Sequence, residues 1–238
     1  MNVARVSVVV PVFSDTGTLA RLLDHIAAWA VRPAEIVAVS AEPDDDLARL
    51  CESGGCRYLE AIRCRGAQLD TGARAATGEI LWFLHADVAP RPGSLEAIED
   101  AIAGGACGGH FRFLLAGKPA AWKSAISALT NLRTRLGGIP YGDQGLFATR
   151  DAYLAAGGFP HQPLFEEVRL VKALRRGGHF RALNLPIDVA PRRWERDGWI
   201  YRSLANRMLA LRYSMGASAD RLATDYRGAK VSEREATS

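Results

Sequence analysis

The segment Ile80-Leu81-Trp82-Phe83-Leu84 is apolar at every position, without the alternation of a half-exposed strand. A strand that reads this way is covered on both faces, and a mainly parallel sheet flanked by helices does this. The run ends on His85-Ala86-Asp87, which sets an imidazole and a carboxylate at the carboxyl end of a buried strand, the edge where open α/β sheets collect ligands. Side chains two apart on an extended segment share a face, so His85 and Asp87 point the same way. Asp87 is the candidate ligand for a divalent cation, with His85 beside it. The competing use of Asp87 is a turn before Pro90, and that of His85 a polar strand end.

The surrounding pattern supports such a sheet. Val6–Phe13 reads as a strand, and Leu19, Leu22, Leu23 and Ile26 then fall on one helical face behind the capping candidates Ser14, Asp15 and Thr16. Pro11 breaks this first stretch, which reads as an edge of a strand and not as a signal peptide. Glu35–Ser40 and Cys56–Ala61 are further strands, separated by a short helix led by Asp44, Asp45 and Asp46 and stopped by Gly54-Gly55. Ala67–Thr77 is a helix closed by Gly78, Ser94 caps a helix through Ala103, and His110–Leu115 is another strand. Later helices are expected over Ala120–Leu136, over Glu166–Arg176 with Val168, Val171 and Leu174 inward, and over Trp199–Met215. Gly145–Thr149 is a short strand. The last of these helices carries Leu204, Met208, Leu211 and Met215 at helical spacing with arginines between; it reads first as a cap on the domain and second as a membrane-surface helix. We expect one domain over residues 1–228, divided near residue 115 into a ligand-binding half and a half ending in amphipathic helices, with a disordered polar tail over 229–238.

Composition narrows the function classes. Net charge is +4, but the excess arginine is scattered rather than blocked, which excludes a nucleic-acid partner. The cysteines Cys51, Cys56, Cys64 and Cys107 have neither disulfide-scaffold nor zinc spacing and read as reduced thiols in a cytoplasmic protein. No apolar run is long enough to span a bilayer. Ser14-Asp15-Thr16-Gly17-Thr18 follows the first strand where a dinucleotide-binding enzyme needs G-x-G-x-x-G, so dehydrogenase chemistry ranks low.

Taken together, VSVVVPVF, GAQLDTGARAATGEILWFLHAD, GIPYGDQGLF, GGFP, FEEVRL and RRWERDG resemble the family-two glycosyltransferases of the GT-A fold, in particular a small soluble branch with His-Ala-Asp in place of Asp-x-Asp. The resemblance spans residues 6–226. It implies an inverting transferase that uses a nucleotide diphosphate sugar and Mn²⁺ or Mg²⁺, acting on an acceptor hydroxyl of unspecified identity. By position, Pro11, Val12, Phe13, Ser40, Arg65, Gln68, Asp70 and Ala86 would line the donor site, and Asp87 and His85 would serve the metal. Glu167, with Glu166 as neighbour, would be the general base. Asp143, Gln144, Arg193 and Trp194 would meet the acceptor or diphosphate.

Each role has a plainer alternative. Glu166 and Glu167 suit the positive end of any helix, Gly142-Asp143-Gln144 suits a turn, Trp194 suits a core, and Arg193 suits pairing with Glu195. The second strand ends on Ser40-Ala41, where the family usually has an aspartate pair. A catalytically degenerate binding or assembly protein is therefore the alternative reading. Peripheral contact with the inner membrane face and a homodimer are further expectations.

Overall fold

The structure, a computed structural model, describes residues 2–3, 5–13 and 15–224; Ser14 and the tail expected over 229–238 lie outside the described residues. In chain order the elements are β1 (Asn2–Val3), β2 (Val6–Val12), α1 (Thr16–Ala27), β3 (Val31–Arg32), β4 (Glu35–Ser40), α2 (Asp45–Gly54), β5 (Arg57–Glu60), α3 (Arg65–Ala75), β6 (Ile80–Phe83) and β7 (Val88–Pro90). There follow α4 (Ser94–Ala103), β8 (Ala106–Leu115), α5 (Ala121–Arg135), a 3-10 turn (Gly142–Gln144), β9 (Phe147–Thr149), α6 (Arg150–Ala155), α7 (Glu166–Gly177), β10 (His179–Val189), α8 (Arg192–Asp197) and α9 (Trp199–Ser214).

One sheet runs in the order β5-β4-β2-β6-β9-β8-β10-β7. β5, β4, β2 and β6 are parallel, β9 opposes both β6 and β8, β10 runs with β8, and β7 opposes β10. This is the mixed, mainly parallel sheet expected. Both faces are buried: Val8, Val10, Ala38, Ile80 and Trp82 belong to one apolar cluster, and Val9, Val37, Val39, Leu81 and Phe83 to the other. The uniform apolar run of β6 follows from that double coverage.

Strand β2 lies inside the sheet, between β4 and β6. Val9 gives its carbonyl to Leu84 N and Val12 gives its carbonyl to Ala41 N, and backbone groups alternate sides along a strand. Pro11 therefore points toward β6, beyond Phe83 where β2–β6 pairing ends, so its missing N–H leaves no gap in the ladder.

The sheet curls. β6 and β7 occupy its fourth and eighth positions, yet only Leu84–Asp87 joins them. The steps from Phe83 to Val88 reach at most about 18 Å, against about 19 Å across four flat strand spacings before any change of direction. The His85-Ala86-Asp87 turn thus crosses the mouth of a curled sheet.

Four strands were not expected: β7 and the long β10 in the main sheet, and β1 and β3, which pair as a separate two-stranded sheet. In β10 the apolar alternation is interrupted by Pro186 and by a register irregularity between Ala182 and Pro186, which hides the period of two. Helix α3 starts at Arg65 and ends at Ala75, with Ala76 extended, so Gly78 does not close it. Gly78 is instead packed where a Cβ would sit 2.5 Å from Ser7 Oγ, and its N–H donates to that hydroxyl at 2.8 Å. Gly93, not Ser94, is the N-cap of α4. Val168 is half-buried, with Leu170, Val171 and Leu174 inward on α7.

Helix α5 is turned against the usual sense. Beyond its short pairing with β9, β8 has no neighbouring strand on that edge among the described residues, and side chains serve its backbone. Asn131 accepts from Phe113 N at 2.8 Å and donates to Phe113 O at 2.9 Å, and Ser127 Oγ accepts from Leu115 N at 3.1 Å. The polar face of α5 is therefore inward and its leucines face out. Asn131→Ala strands both Phe113 groups and should cost about 2 kcal/mol, read as a shift in the urea unfolding midpoint at unchanged slope.

Helix α9 does not cap the domain with its apolar stripe. Leu204, Met208, Leu211 and Met215 are 59%, 58%, 52% and 70% exposed. Its inward side instead carries Arg202, paired with Asp197, and Tyr213, stacked on Phe165 at 4.7 Å. The four cysteines are free thiols. Among the described residues no helix is long and apolar enough to cross a membrane.

Candidate active site at the carboxyl edge of the sheet

The carboxyl ends of β2 and β4 meet the first turn of α3, with β6 the next strand beside β2. Gln68, 5% exposed on α3, donates both amide hydrogens to strand-end carbonyls, Val12 O at 2.9 Å and Val39 O at 2.8 Å. It braces the two strands rather than standing free for a ligand. Ser40 is buried as well and donates to Glu42 O at 2.5 Å, closing the turn after β4. Pro11 and Val12 lie on the same edge, and Phe13 is exposed with the Arg63 guanidinium 4.1 Å above its ring.

Opposite them stands the first turn of α7. Glu166 is fully buried and forms a two-pronged ion pair with Arg65, Nε to Oε1 and Nη2 to Oε2. Glu167 is 1% exposed. Its Oε1 accepts from Gly142 N at 2.8 Å and lies 3.9 Å from Arg65 Nη2. Its Oε2 is buried without a hydrogen-bond partner among the described residues. Gly142 also brings His85 into the group: a Cβ on Gly142 would fall 2.4 Å from His85 Nε2 and 2.9 Å from Glu167 Oε1. Only a glycine lets the 3-10 turn approach both side chains.

This arrangement settles a balance that chain position alone leaves open. Burial, reinforced by the Glu166 charge, pushes the Glu167 carboxyl up to about 8, and the Arg65 charge and the Gly142 N–H offset only part of it. Glu166 pairs with the Arg65 cation, and Glu167 is left as a carboxyl whose pKa burial holds well above the usual carboxylate range.

The turn that aims these carboxylates was not visible in the sequence. Phe165, the N-cap of α7, has φ of 60°, a left-handed conformation that costs a non-glycine residue about 1–2 kcal/mol. It is held by ring contacts with Tyr213 and, at 6.1 Å, Tyr141. Arg133 stacks over Tyr141 at 4.9 Å. These rings form an aromatic wall beside Glu167, and only the family-like FEEVRL string hints at it.

The remaining candidates divide. Asp70 is buried and accepts from Tyr153 Oη at 2.7 Å, Arg74 Nε at 2.8 Å and His161 Nε2 at 3.4 Å; burial would raise its pKa, but these donors hold it below the usual range. Its oxygens are engaged within the fold. Gln144 is fully enclosed, 3.4 Å from His110 Nδ1 and from Phe111 O, so it serves the β8 edge. Asp143 is half-buried and its charge is felt by Arg133 and Tyr141. Trp194 packs on the core, 6.2 Å from Phe113. The Arg193 side chain lies outside the described residues. Ala86 is half-buried beside Asp87.

Asp87 is neither sealed in the core nor fully exposed, and its carboxylate makes no hydrogen bond or ion pair among the described residues. No group of three or more His, Cys, Asp or Glu side chains is arranged to hold a metal among those residues. One unengaged carboxylate at a ligand-binding edge fits a hard divalent cation that takes most of its oxygens from phosphate and water.

Solved structures share this fold. A mannosyltransferase from Pyrobaculum calidifontis in complex with GDP-Man and Mn²⁺ superposes with a TM-score of 0.63 at 19% identity, covering 93% of this chain and 69% of that one. Glucosyl-3-phosphoglycerate synthase from Mycobacterium tuberculosis, crystallised with Mn²⁺, UDP and glucosyl-3-phosphoglycerate, gives 0.55 at 20% identity over 77% of this chain and 70% of that one. The same enzyme with Mg²⁺ and UDP gives 0.55 at 19% identity over the same shares. No curated protein matches. The curled sheet is thus the GT-A type, and residues 7–157, more than half of the chain, match the sequence profile of Glycosyl transferase family 2. The chain belongs to that family.

Proposed function

We propose that this protein is an inverting glycosyltransferase that moves a sugar from a nucleotide diphosphate sugar to an acceptor hydroxyl, with Glu167 as general base. The observation that carries this reading is the carboxyl of Glu167, fully desolvated, fixed through one oxygen by Gly142 N, with the buried Oε2 left without a partner among the described residues. The acceptor oxygen attacks the anomeric carbon while the bond from that carbon to the diphosphate oxygen breaks. The hydroxyl proton goes to Glu167, and the electron pair leaves on the nucleoside diphosphate. Attack and departure on opposite faces invert the configuration. A base is most effective when its pKa is near the working pH, which the burial of Glu167 achieves.

Asp87, with His85 on the same segment, would hold the divalent cation, Mn²⁺ or Mg²⁺, which when bound neutralises the charge building on the leaving diphosphate. An imidazole ligand favours Mn²⁺. Phe13 with Arg63 offers a stacking surface at the strand end. Arg65 acts as a positioning residue, holding Glu166 and so the base. GDP-Man bound in one fold neighbour and UDP in the other support this class of substrate.

The test is incubation with a panel of nucleotide diphosphate sugars and Mn²⁺, reading nucleoside diphosphate release and the anomeric configuration of the product by NMR. Retention of configuration, or calorimetric silence toward every donor, refutes the reading. Asp87→Ala should weaken metal-dependent nucleoside diphosphate binding by at least about tenfold, measured by titration with and without a chelator.

A further inference from the structure

The outward faces of α5 and α9 are not used by the chemistry. The two helices lie side by side, with Trp122 stacked on Trp199 at 6.5 Å and Arg133 within reach of the Arg207 charge. Together they expose Leu132 and Leu136 from one helix, at 53% and 79%, and Leu204, Met208, Leu211 and Met215 from the other. Solvent-exposed apolar surface of this extent marks an interaction site. Its charge says with what. Each helix carries three cationic side chains and no carboxylate, whereas the whole chain carries +4, so the remainder is acidic on balance. Lys123 and Arg202 turn inward to Glu195 and Asp197; Arg135 and Arg207 are exposed beside the leucines.

We propose that the α5–α9 face docks onto an anionic lipid bilayer, its apolar stripes entering the headgroup boundary and its arginines meeting lipid phosphates. A second copy of the chain is the disfavoured occupant. A two-fold pairing through this face would set the exposed Arg135 and Arg207 of one copy against those of the other, while an anionic bilayer complements them. Aromatic residues at the start of both helices, Trp122 and Trp199, suit the interfacial region. Because Tyr213, on the inner side of α9, stacks on the residue preceding Glu166, docking holds the carboxylate pair about one helix diameter, ~10 Å, from the lipid.

The test is flotation of the full chain with vesicles of phosphatidylcholine alone and of phosphatidylcholine containing about one-third phosphatidylglycerol. The chain should float with the anionic vesicles and be released by high salt. Leu204→Asp/Met208→Asp should reduce that binding about tenfold or more. Arg135→Glu/Arg207→Glu, which leaves the stripe intact, should do the same and guards against misfolding of the first variant. Absence of wild-type flotation with anionic vesicles overturns the proposal, as does flotation indifferent to both variants. A wild-type dimer in analytical ultracentrifugation that Leu204→Asp/Met208→Asp dissociates also overturns it, in favour of a second copy. The assay contains no nucleotide, so its outcome is independent of the transferase reading.

Discussion

Glu167→Gln should lower the rate of sugar transfer by about three orders of magnitude, the loss typical of removing a positioned general base. The amide is nearly isosteric, and its oxygen still accepts from Gly142 N, so binding of the nucleotide sugar should remain within about twofold. For the parent chain, the rate of transfer should climb with pH and level off above about 8, because the base works only when ionised and its pKa is pushed up to about 8. Stability runs the other way. A carboxyl ordinarily titrates near 4.5, so between there and about 8 the folded chain retains a proton that the unfolded chain has released. That stabilisation is complete at lower pH and lost as pH rises through the window. Thermal unfolding without metal should show the melting temperature falling across this range, and Glu167→Gln should show a smaller fall. A flat pH–rate profile with transfer retained in Glu167→Gln would falsify the base assignment.

Arg65→Met should be the most damaging single change to stability. The Arg65 guanidinium is the cation paired with fully buried Glu166 and lies 3.9 Å from Glu167. Removing one partner of a buried pair strands the other charge, at a cost of about 3–5 kcal/mol. For a chain of this size that corresponds to a drop in melting temperature of about 10 °C. Adding Glu166→Gln should recover much of the loss, since the stranded charge is then gone. If Arg65 instead serves mainly to grip the donor, Arg65→Met melts normally and only binding of the nucleotide sugar suffers. The two roles are separable by calorimetry on the same preparation.

The strands that build the carboxyl edge were legible because double burial leaves a local trace: β2, β4 and β6 are runs of apolar residues bounded by polar turns. The position of Asp87 followed from β6 alone. Glu166 and Glu167 were legible as a pair, but not the division of labour between them, which depends on Arg65, about a hundred residues earlier in the chain and on another helix. Long-range pairing of that kind leaves no periodic signal. Gln68 and Asp70 were recognised as important residue types, yet the Gln68 amide donates to Val12 and Val39 and the Asp70 carboxylate accepts from Tyr153; one-dimensional spacing does not distinguish a brace from a ligand contact. The outward turn of α9 ranked only as the second reading for a similar reason. Periodicity reveals that a helix has an apolar face but not which way that face points, and here inward-facing Arg202 and Tyr213 decide it. β10 escaped because a proline and a register irregularity interrupt its alternation.

The short crossing from β6 to β7 has a kinetic consequence. Its turn, Leu84–Asp87, assumes its final path only when β7 has docked on β10, whose pairing residues Ile187–Val189 lie about a hundred positions later. During synthesis the cation-ligand candidate is therefore made early and shaped late. Contacts so distant in sequence form slowly, so a half-made chain should already own its parallel strands while still lacking a competent metal cradle. Catalytic competence then reports that nearly the whole polypeptide has emerged and closed.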